Sequence, residues 1–281
     1  MTSQQTQATN RTARQVEALG REVLKTYDEA LEAVNRELEK VYARILSGVK
    51  PEGYYNTLIK YGRLKSLQER ISAAYSSYSQ TAGMQIRESS RLAMSNEYYQ
   101  QQFVLQFFSP NINVNMDFAL LPKSITEMSV MGTTNLWDDL TVRQRTVIGE
   151  TYGAITGYLR NDGAISDVLR ARRQEELLRL NRTINSALVR GETYNKTARA
   201  VKDVIDMSKT SAIRIVRTEG NRNMNAGAFA NSMQASSQGL PINRQWVATL
   251  DSRTRDRHAE LDGRQVKVDE PFTMAGDSAM Y

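Results

Sequence analysis

The strongest constraint on folding is an apolar stripe near the start of the chain. Val16, Leu19, Val23, Tyr27, Ala30, Val34, Leu38, Val41 and Ile45 recur in alternating steps of three and four. This spacing places one narrow seam along a helix spanning 12–46, and such a seam needs a partner helix to cover it. Gly48 and Pro51-Glu52-Gly53 break that helix. A second stripe follows at Leu58, Tyr61, Leu64 or Lys65, Leu67, Ile71, Ala74, Tyr75 and Tyr78. Residues 54–108 therefore read as helical. Ser76-Ser77-Tyr78-Ser79 and Gly83 weaken the middle, leaving one helix or two open. Paired through the Pro51 turn, the two stripes make a long antiparallel hairpin. Fifty helical residues reach about 75 Å. Tyr98, Tyr99, Phe103, Leu105, Phe107 and Phe108 read either as core aromatics or as a docking face. The polar residues 1–11 read as a disordered tail.

The rest of the chain reads as shorter pieces. Residues 109–140 form an irregular linker, within which Ile112, Val114 and Met116 alternate with asparagines and allow a short strand. Helices are expected over 142–159, 166–189, 195–207 and 209–238, with Ser208 capping the last. After Gly239 the composition changes. Residues 244–250 and 264–268 read as partner strands around a helical turn at 254–260 and a Leu261-Asp262-Gly263 turn. The expected fold is mainly α, with a long N-terminal helical hairpin, a central helical array and a small α+β module carrying short antiparallel strands near the C-terminus. Its expected blocks are 12–108 and 141–281, the latter comprising helices over 141–238 and the α+β unit over 243–272. Residues 273–281 offer no closing element, so the module is expected to continue past Tyr281 or to end in a disordered tail.

Charge narrows the partners. The net charge of +6 is held locally: residues 160–223 contain 14 Lys+Arg against 8 Asp+Glu, a surplus of 6. A basic segment of this kind suits a polyanion, or is the solvated face of a helix. Its candidate DNA contacts are Arg170, Arg172, Arg173, Arg179, Arg182, Lys196, Arg199 and Lys202. With no cysteine, disulfides, thiolate metal sites and cysteine nucleophiles are excluded. No apolar run approaches the length of a spanning helix, and no membrane role is expected.

The densest chemistry lies in residues 215–272. Arg217, Thr218, Glu219, Arg222 and Asn225 fall close together on a helix. Trp246, Asp251, Arg253, Arg255, His258, Leu261, Asp262, Gly263 and Phe272 follow. His258 is the only histidine in the sequence. Asp251, His258 and Asp262, with Glu260 nearby, could serve a metal-assisted hydrolase or nuclease. The same residues also make a structural framework: Asp251 caps a turn, Arg253 and Arg255 pair with local carboxylates, and His258 packs. Paired-histidine helix motifs, phosphate-binding glycine loops and nucleophile elbows are absent from the sequence. The framework reading leaves no catalytic residue, metal or cofactor.

The ordered series Arg217-Thr218-Glu219, Arg222, Asn225, Ala226, Trp246, Asp251-x-Arg253-Thr254-Arg255, His258, Leu261-Asp262-Gly263 and Pro271-Phe272 resembles the Mu F-like head morphogenesis domain of tailed bacteriophages. The resemblance covers residues 161–272 and is sharpest from Ile215. It departs from many relatives in having no cysteines near His258 and no Pro-Gly-Asp-Pro-like turn or Asn-Cys-Arg-Cys-like segment. It implies a minor head protein: a virion component made in the bacterial cytoplasm and placed inside the capsid near the portal vertex. The partners it implies are the portal protein, packaged double-stranded DNA bound without sequence reading, and capsid or scaffolding protein. Self-association through the N-terminal helices is a further expectation.

Overall fold

The computed structural model describes residues 3–60, 62–108, 120–123, 125–127, 165–248, 250–251, 254–274 and 277–279. Its principal helices are α1 (Ser3–Arg44), α2 (Tyr54–Lys60), α3 (Arg63–Phe108), α4 (Ile165–Val189), α5 (Tyr194–Ser237) and the short α6 (Asp256–Ala259), with a 3-10 turn at Pro51–Gly53. Strands β1 (Asn243–Gln245) and β2 (Gln265–Lys267) pair antiparallel, with Arg244 opposite Val266. Strands β3 (Phe272–Met274) and β4 (Asp277–Ala279) form a second antiparallel pair. The expected class therefore holds: mostly helix, with small antiparallel sheets near the C-terminus.

Two compact units emerge, and neither is continuous in sequence. One gathers residues 1–15, 90–165 and 219–281, and the other gathers 16–89 and 166–218. This differs from the consecutive blocks 12–108 and 141–281. Helices α1, α3 and α5 are so long that each contributes residues to both units.

In the unit built from 16–89 and 166–218, the heptad seam is the core. Val16, Val23, Tyr27, Ala30, Val34, Leu38 and Val41 are buried, and so are Leu67, Ile71 and Tyr75 of the second stripe and, beyond it, Ala82 and Ile86. Helices α1 and α3 run antiparallel here: Arg70 pairs with Glu37 at 2.9 Å, and Thr26 Oγ1 donates to Gln85 Oε1 at 3.0 Å. The second helical region is split at Gly62, not at the serine run or at Gly83, both of which lie inside α3. Leu180, Ile184 and Leu188 of α4 and Val201, Ile205 and Ala212 of α5 complete the core.

Gly191 joins α4 to α5. Its φ is +65°, and a Cβ there would stand 2.6 Å from the Pro51 carbonyl group. Only glycine meets both demands. A Gly191→Ala variant is expected to lose roughly 2–3 kcal/mol, combining backbone strain with the clash. The check is the denaturant midpoint, and an unchanged midpoint would contradict the close approach.

Helix α5 continues through Ser208, where a cap and a break were expected. The Ser208 hydroxyl donates back to the Val204 carbonyl at 3.2 Å, so the residue is accommodated mid-helix.

In the unit built from 1–15, 90–165 and 219–281, Met94 and Tyr98 of α3 pack with Ala226, Phe229 and Ala230 of α5, together with Leu121, Ile125 and Val268. Gly227 lets the two helices meet. A Cβ on it would lie 2.2 Å from the Met94 carbonyl oxygen. The Tyr99 hydroxyl accepts the Leu121 N–H at 3.1 Å, so Tyr98 and Tyr99 are core aromatics. Phe103 is exposed.

The polar stretch expected as a tail is helical from Ser3. Within it, Thr9 donates to Glu97 at 2.8 Å and accepts from Gln101 at 3.2 Å, and just beyond it Gln100 donates to Thr12 at 3.1 Å. The expected linker strand at 112–116 and the helix at 142–159 lie outside the described residues.

An isolated 215–272 fragment would lack Met94, Tyr98, Leu121 and Ile125. It is expected to show coil-like circular dichroism and no cooperative melt. A sharp thermal transition in that fragment would refute this reading of the core.

Candidate functional site

The C-terminal module is assembled on the last turns of α5. Leu250 has a φ of +52°, left-handed for a non-glycine residue. Before it, the chain runs as β1 beside β2, and the ladder extends past both strands. Val268 N–H donates to Ile242 O at 3.2 Å, and Trp246 N–H donates to Arg264 O at 2.9 Å. Gly263 N–H returns to Trp246 O at 2.9 Å. The pairing matches expectation, but the strands are shorter than 244–250 and 264–268. Within 273–281, where no closing element was expected, most of β3 and the whole of β4 form an antiparallel pair.

An aromatic cluster lies at the centre. The Trp246 ring meets His258 edge-on, with centroids 5.6 Å apart, and meets Phe272 at 5.4 Å and 74°. Such T-shaped pairs contribute about 0.5–1.5 kcal/mol each beyond burial. The Arg244 guanidinium stacks 4.8 Å from the Phe229 centroid and 5.4 Å from that of Phe272, and it donates to the Glu270 carbonyl. Arg244 was not singled out in the sequence. In a strand-like run it reads as a solvent-facing charge, and only the fold sets two aromatic faces against it.

The three candidate catalytic groups have structural contacts. Asp262 Oδ1 accepts the Ala248 N–H at 2.8 Å and fixes the loop after β1. Asp251 accepts the Thr254 hydroxyl at 3.1 Å, and its own N–H donates to that hydroxyl at 3.1 Å. His258 lies in α6 against Trp246. Leu261 is buried, and Gly263 makes the turn with a φ of +76°. Arg255 precedes α6 and is exposed, while Arg253 lies outside the described residues. On α5, Glu219 is buried, Arg222 is half-buried, and Arg217, Thr218 and Asn225 are exposed. Asn225 lines a groove of about 510 Å³ with Ala228, Phe229, Ser232, Arg244, Gln245, Trp246, Val247 and Phe272. The structure thus joins Asn225, Trp246 and Phe272 at one groove. Among the described residues, no cluster of three or more His, Asp or Glu is arranged to hold a metal ion.

The eight basic candidates divide by environment. Arg170, Arg179 and Lys202 pair within their helices with Asp167 (3.2 Å), Glu175 (2.6 Å) and Asp206. Arg172 and Arg173 are half-buried and line a small cavity with Tyr27, Ser79, Gly83 and Glu176. Arg182, Lys196 and Arg199 are exposed and form no ion pair among the described residues. Three of the eight thus present uncompensated charge to solvent.

Glu176 places an acidic group beside Arg172 in this cavity. Tyr75 donates to Glu176 Oε2 at 2.9 Å, and the Tyr27 ring lies 6.4 Å from that of Tyr75. Burial pushes the Glu176 carboxyl above the usual range, opposed by hydrogen bonds from Tyr75 and Ser208 and by the Arg172 charge. Burial also raises the Tyr75 and Tyr27 hydroxyls, with the Glu176 charge adding to the effect. A raised folded-state pKa means that the stability Glu176 confers is full below about pH 4.3 and is lost as pH rises through the folded value. Glu176→Gln keeps an acceptor for Tyr75 and removes that loss. The variant is expected to match the parent at pH 4 and melt higher at pH 8. Each kcal/mol regained is worth about 2–4 °C. Parallel pH profiles for the two proteins would overturn the assignment.

Residues 179–279 match the family model described as "Phage Mu protein F like protein". The chain is 35% identical over 105 residues to the minor head protein GP7 of Bacillus phage SPP1, a match covering 37% of this chain and 34% of that protein. It is 36% identical over 107 residues to the NAD(+)–arginine ADP-ribosyltransferase EFV of Enterococcus faecalis, covering 38% of this chain and 22% of that protein. The matched part therefore spans about a third or less of either curated relative. No solved structure matches. The matched segment, which is similar to the Phage Mu protein F like family, contains the aromatic cluster, the groove and both strand pairs.

Proposed function

We propose that this chain is a structural minor head protein of a tailed bacteriophage, placed inside the capsid near the portal vertex, where it binds the portal protein and packaged DNA and assists head assembly and genome packaging or delivery. The observation that carries this reading is the family match over 179–279 together with the 35% identity to a phage minor head protein. Structural contacts of Asp251, His258 and Asp262 favour a framework over a reaction centre. The transferase relative shares only 22% of its length with the matched region, so its named activity does not transfer here. The metal-assisted hydrolase reading has its own test. His258→Ala should leave nuclease activity at background with and without added divalent cations, whereas a cation-dependent activity lost in the variant would establish the enzyme.

The placement is tested by quantitative mass spectrometry of purified, DNA-filled heads. The chain should co-purify with them at a fixed ratio to the portal protein. Its absence from filled heads would end the proposal.

DNA contact rests on Arg182, Lys196 and Arg199, the exposed members of the basic set that form no ion pair among the described residues. Such contacts bind phosphates without reading bases, and the affinity falls with salt in proportion to the number of phosphates neutralised. Replacing all three by glutamine is expected to flatten the log–log salt slope of duplex binding by about 2.7, at about 0.9 per contact. An unchanged slope would remove these residues from DNA binding.

A further inference from the structure

We infer that residues 3–15 of α1 form a strap that undocks from α3 as one unit and uncovers the Glu97 carboxylate, while α1 beyond Val16 stays packed. The first support is what holds the strap. Between Ser3 and Gln15 the only apolar residues are Ala8 and Ala13. The apolar seam of α1 begins at Val16, which is 5% exposed. Side-chain hydrogen bonds tie the strap to α3. Thr9 donates to Glu97 Oε1 at 2.8 Å and accepts from Gln101 at 3.2 Å. Gln100 donates to Thr12 at 3.1 Å, and Asn96 donates to Gln15 Oε1 at 2.7 Å. Each such bond replaces one to water, so its net contribution is small. A segment held this way, with few buried apolar groups, lies at the low end of local stability.

The second support is what docking strands. Glu97 is 2% exposed. Its Oε1 accepts from both Thr9 and Gln101, whereas its Oε2 is buried without a hydrogen-bond partner among the described residues. Gln100 Oε1, one turn further along α3, is buried in the same condition. Both atoms are acceptors, so neither can satisfy the other. A buried carboxylate oxygen with no donor bears the full loss of its hydration. Thr9 lies against Glu97, so undocking the strap returns that side of the carboxylate to water. Weak, exchangeable bonds therefore hold the strap and a stranded charge opposes it. Once undocked, thirteen polar residues are too few to keep a helix in water, and their backbone bonds open with the strap. The open state presents Glu97, Gln100 and Gln101 of α3 to solvent, which the docked state withholds.

This inference does not depend on a role in a phage head. Its test is residue-resolved native-state hydrogen exchange on the full-length protein. Residues 7–15 should exchange together, at least a hundredfold faster than residues 30–41 of the same helix. Glu97→Gln keeps the acceptor for Thr9 and Gln101, and it replaces the stranded oxygen with an amide that has Gln100 Oε1 within one turn. It should slow exchange of the strap at least tenfold and leave 30–41 unchanged. Thr9→Val removes the bond from the other side and should speed the strap several-fold. Trypsin cleavage after Arg11 and Arg14, both exposed, should follow the same order: fastest in Thr9→Val, slowest in Glu97→Gln. A helix end that merely frays would show protection rising residue by residue and indifferent to Glu97→Gln, and that result overturns the inference. So does faster exchange in Glu97→Gln, which would make the carboxylate a clasp for the strap, or exchange in Thr9→Val no faster than in the parent.

Discussion

Replacing Gly227 with alanine is expected to disrupt the unit formed by residues 1–15, 90–165 and 219–281. The added Cβ would stand 2.2 Å from the Met94 carbonyl oxygen and 3.1 Å from the Tyr98 nitrogen. These are backbone atoms of a helix interior and cannot rotate aside as a side chain could. On helix propensity alone, alanine would gain about 1 kcal/mol over glycine. Overpacking costs about 1–3 kcal/mol where neighbours can yield, and more where they cannot. The clash therefore prevails, and a net loss of about 2–4 kcal/mol is expected. Gly83 is the control. It also lies mid-helix and buried, but its added Cβ would sit 3.7 Å from a Leu169 methyl group, in ordinary contact. Gly83→Ala should be neutral or stabilising by up to about 1 kcal/mol. Native-state hydrogen exchange separates the two outcomes, because it reports each unit without assuming a single two-state transition. Equal behaviour of the two variants would contradict the α3–α5 crossing at Gly227.

The second large effect is expected at Phe272. This ring is 4% exposed, meets Trp246 edge-on, and carries the Arg244 guanidinium on its face. Removing a buried phenylalanine typically costs about 3–5 kcal/mol. Here the loss also takes one of the two aromatic faces from Arg244, leaving Phe229. Phe272→Ala is expected to speed exchange of the Trp246 and Val268 amides, which close the β1–β2 ladder at its two ends. Phe272→Leu keeps most of the buried volume and should cost less than about 1.5 kcal/mol. If the alanine variant lost no more than the leucine variant, the aromatic cluster would not be what holds the module together.

The two changes differ in how far the sequence announces them. Phe272 belongs to an ordered motif that is readable without coordinates. Gly227 is one of sixteen glycines, and nothing in its immediate neighbours says that another helix passes at van der Waals distance. The same division runs through the fold. The stripe from Val16 to Ile45 was legible because a 3.5-residue period has one physical solution, a helix with a covered seam. The continuity of α5 was not legible, since Ser208 favours a cap in isolation and is held in place by its bond to Val204. The helical start of α1 was hidden because its burial is polar: Thr9 and Thr12 find partners on α3, which no local pattern reveals. Glu176 was hidden for a related reason. A glutamate among arginines on a basic helix reads as surface, and only the packed tyrosines make it a half-buried acid. Arg244 was missed because its role depends on two aromatic rings from distant parts of the sequence.

The interleaving of the two units bears on synthesis. Residues 90–165 and 219–281 belong to the same unit, so Met94 and Tyr98 are made well before Phe229 and Val268. At about 5–20 residues per second, the wait from Met94 to Val268 is roughly nine to thirty-five seconds. For that interval Met94 and Tyr98 stand without Phe229 and Val268, and their apolar surface is open to chaperones or to other nascent chains. That unit is completed late, and its yield in the cell will depend on how well that exposed interval is protected.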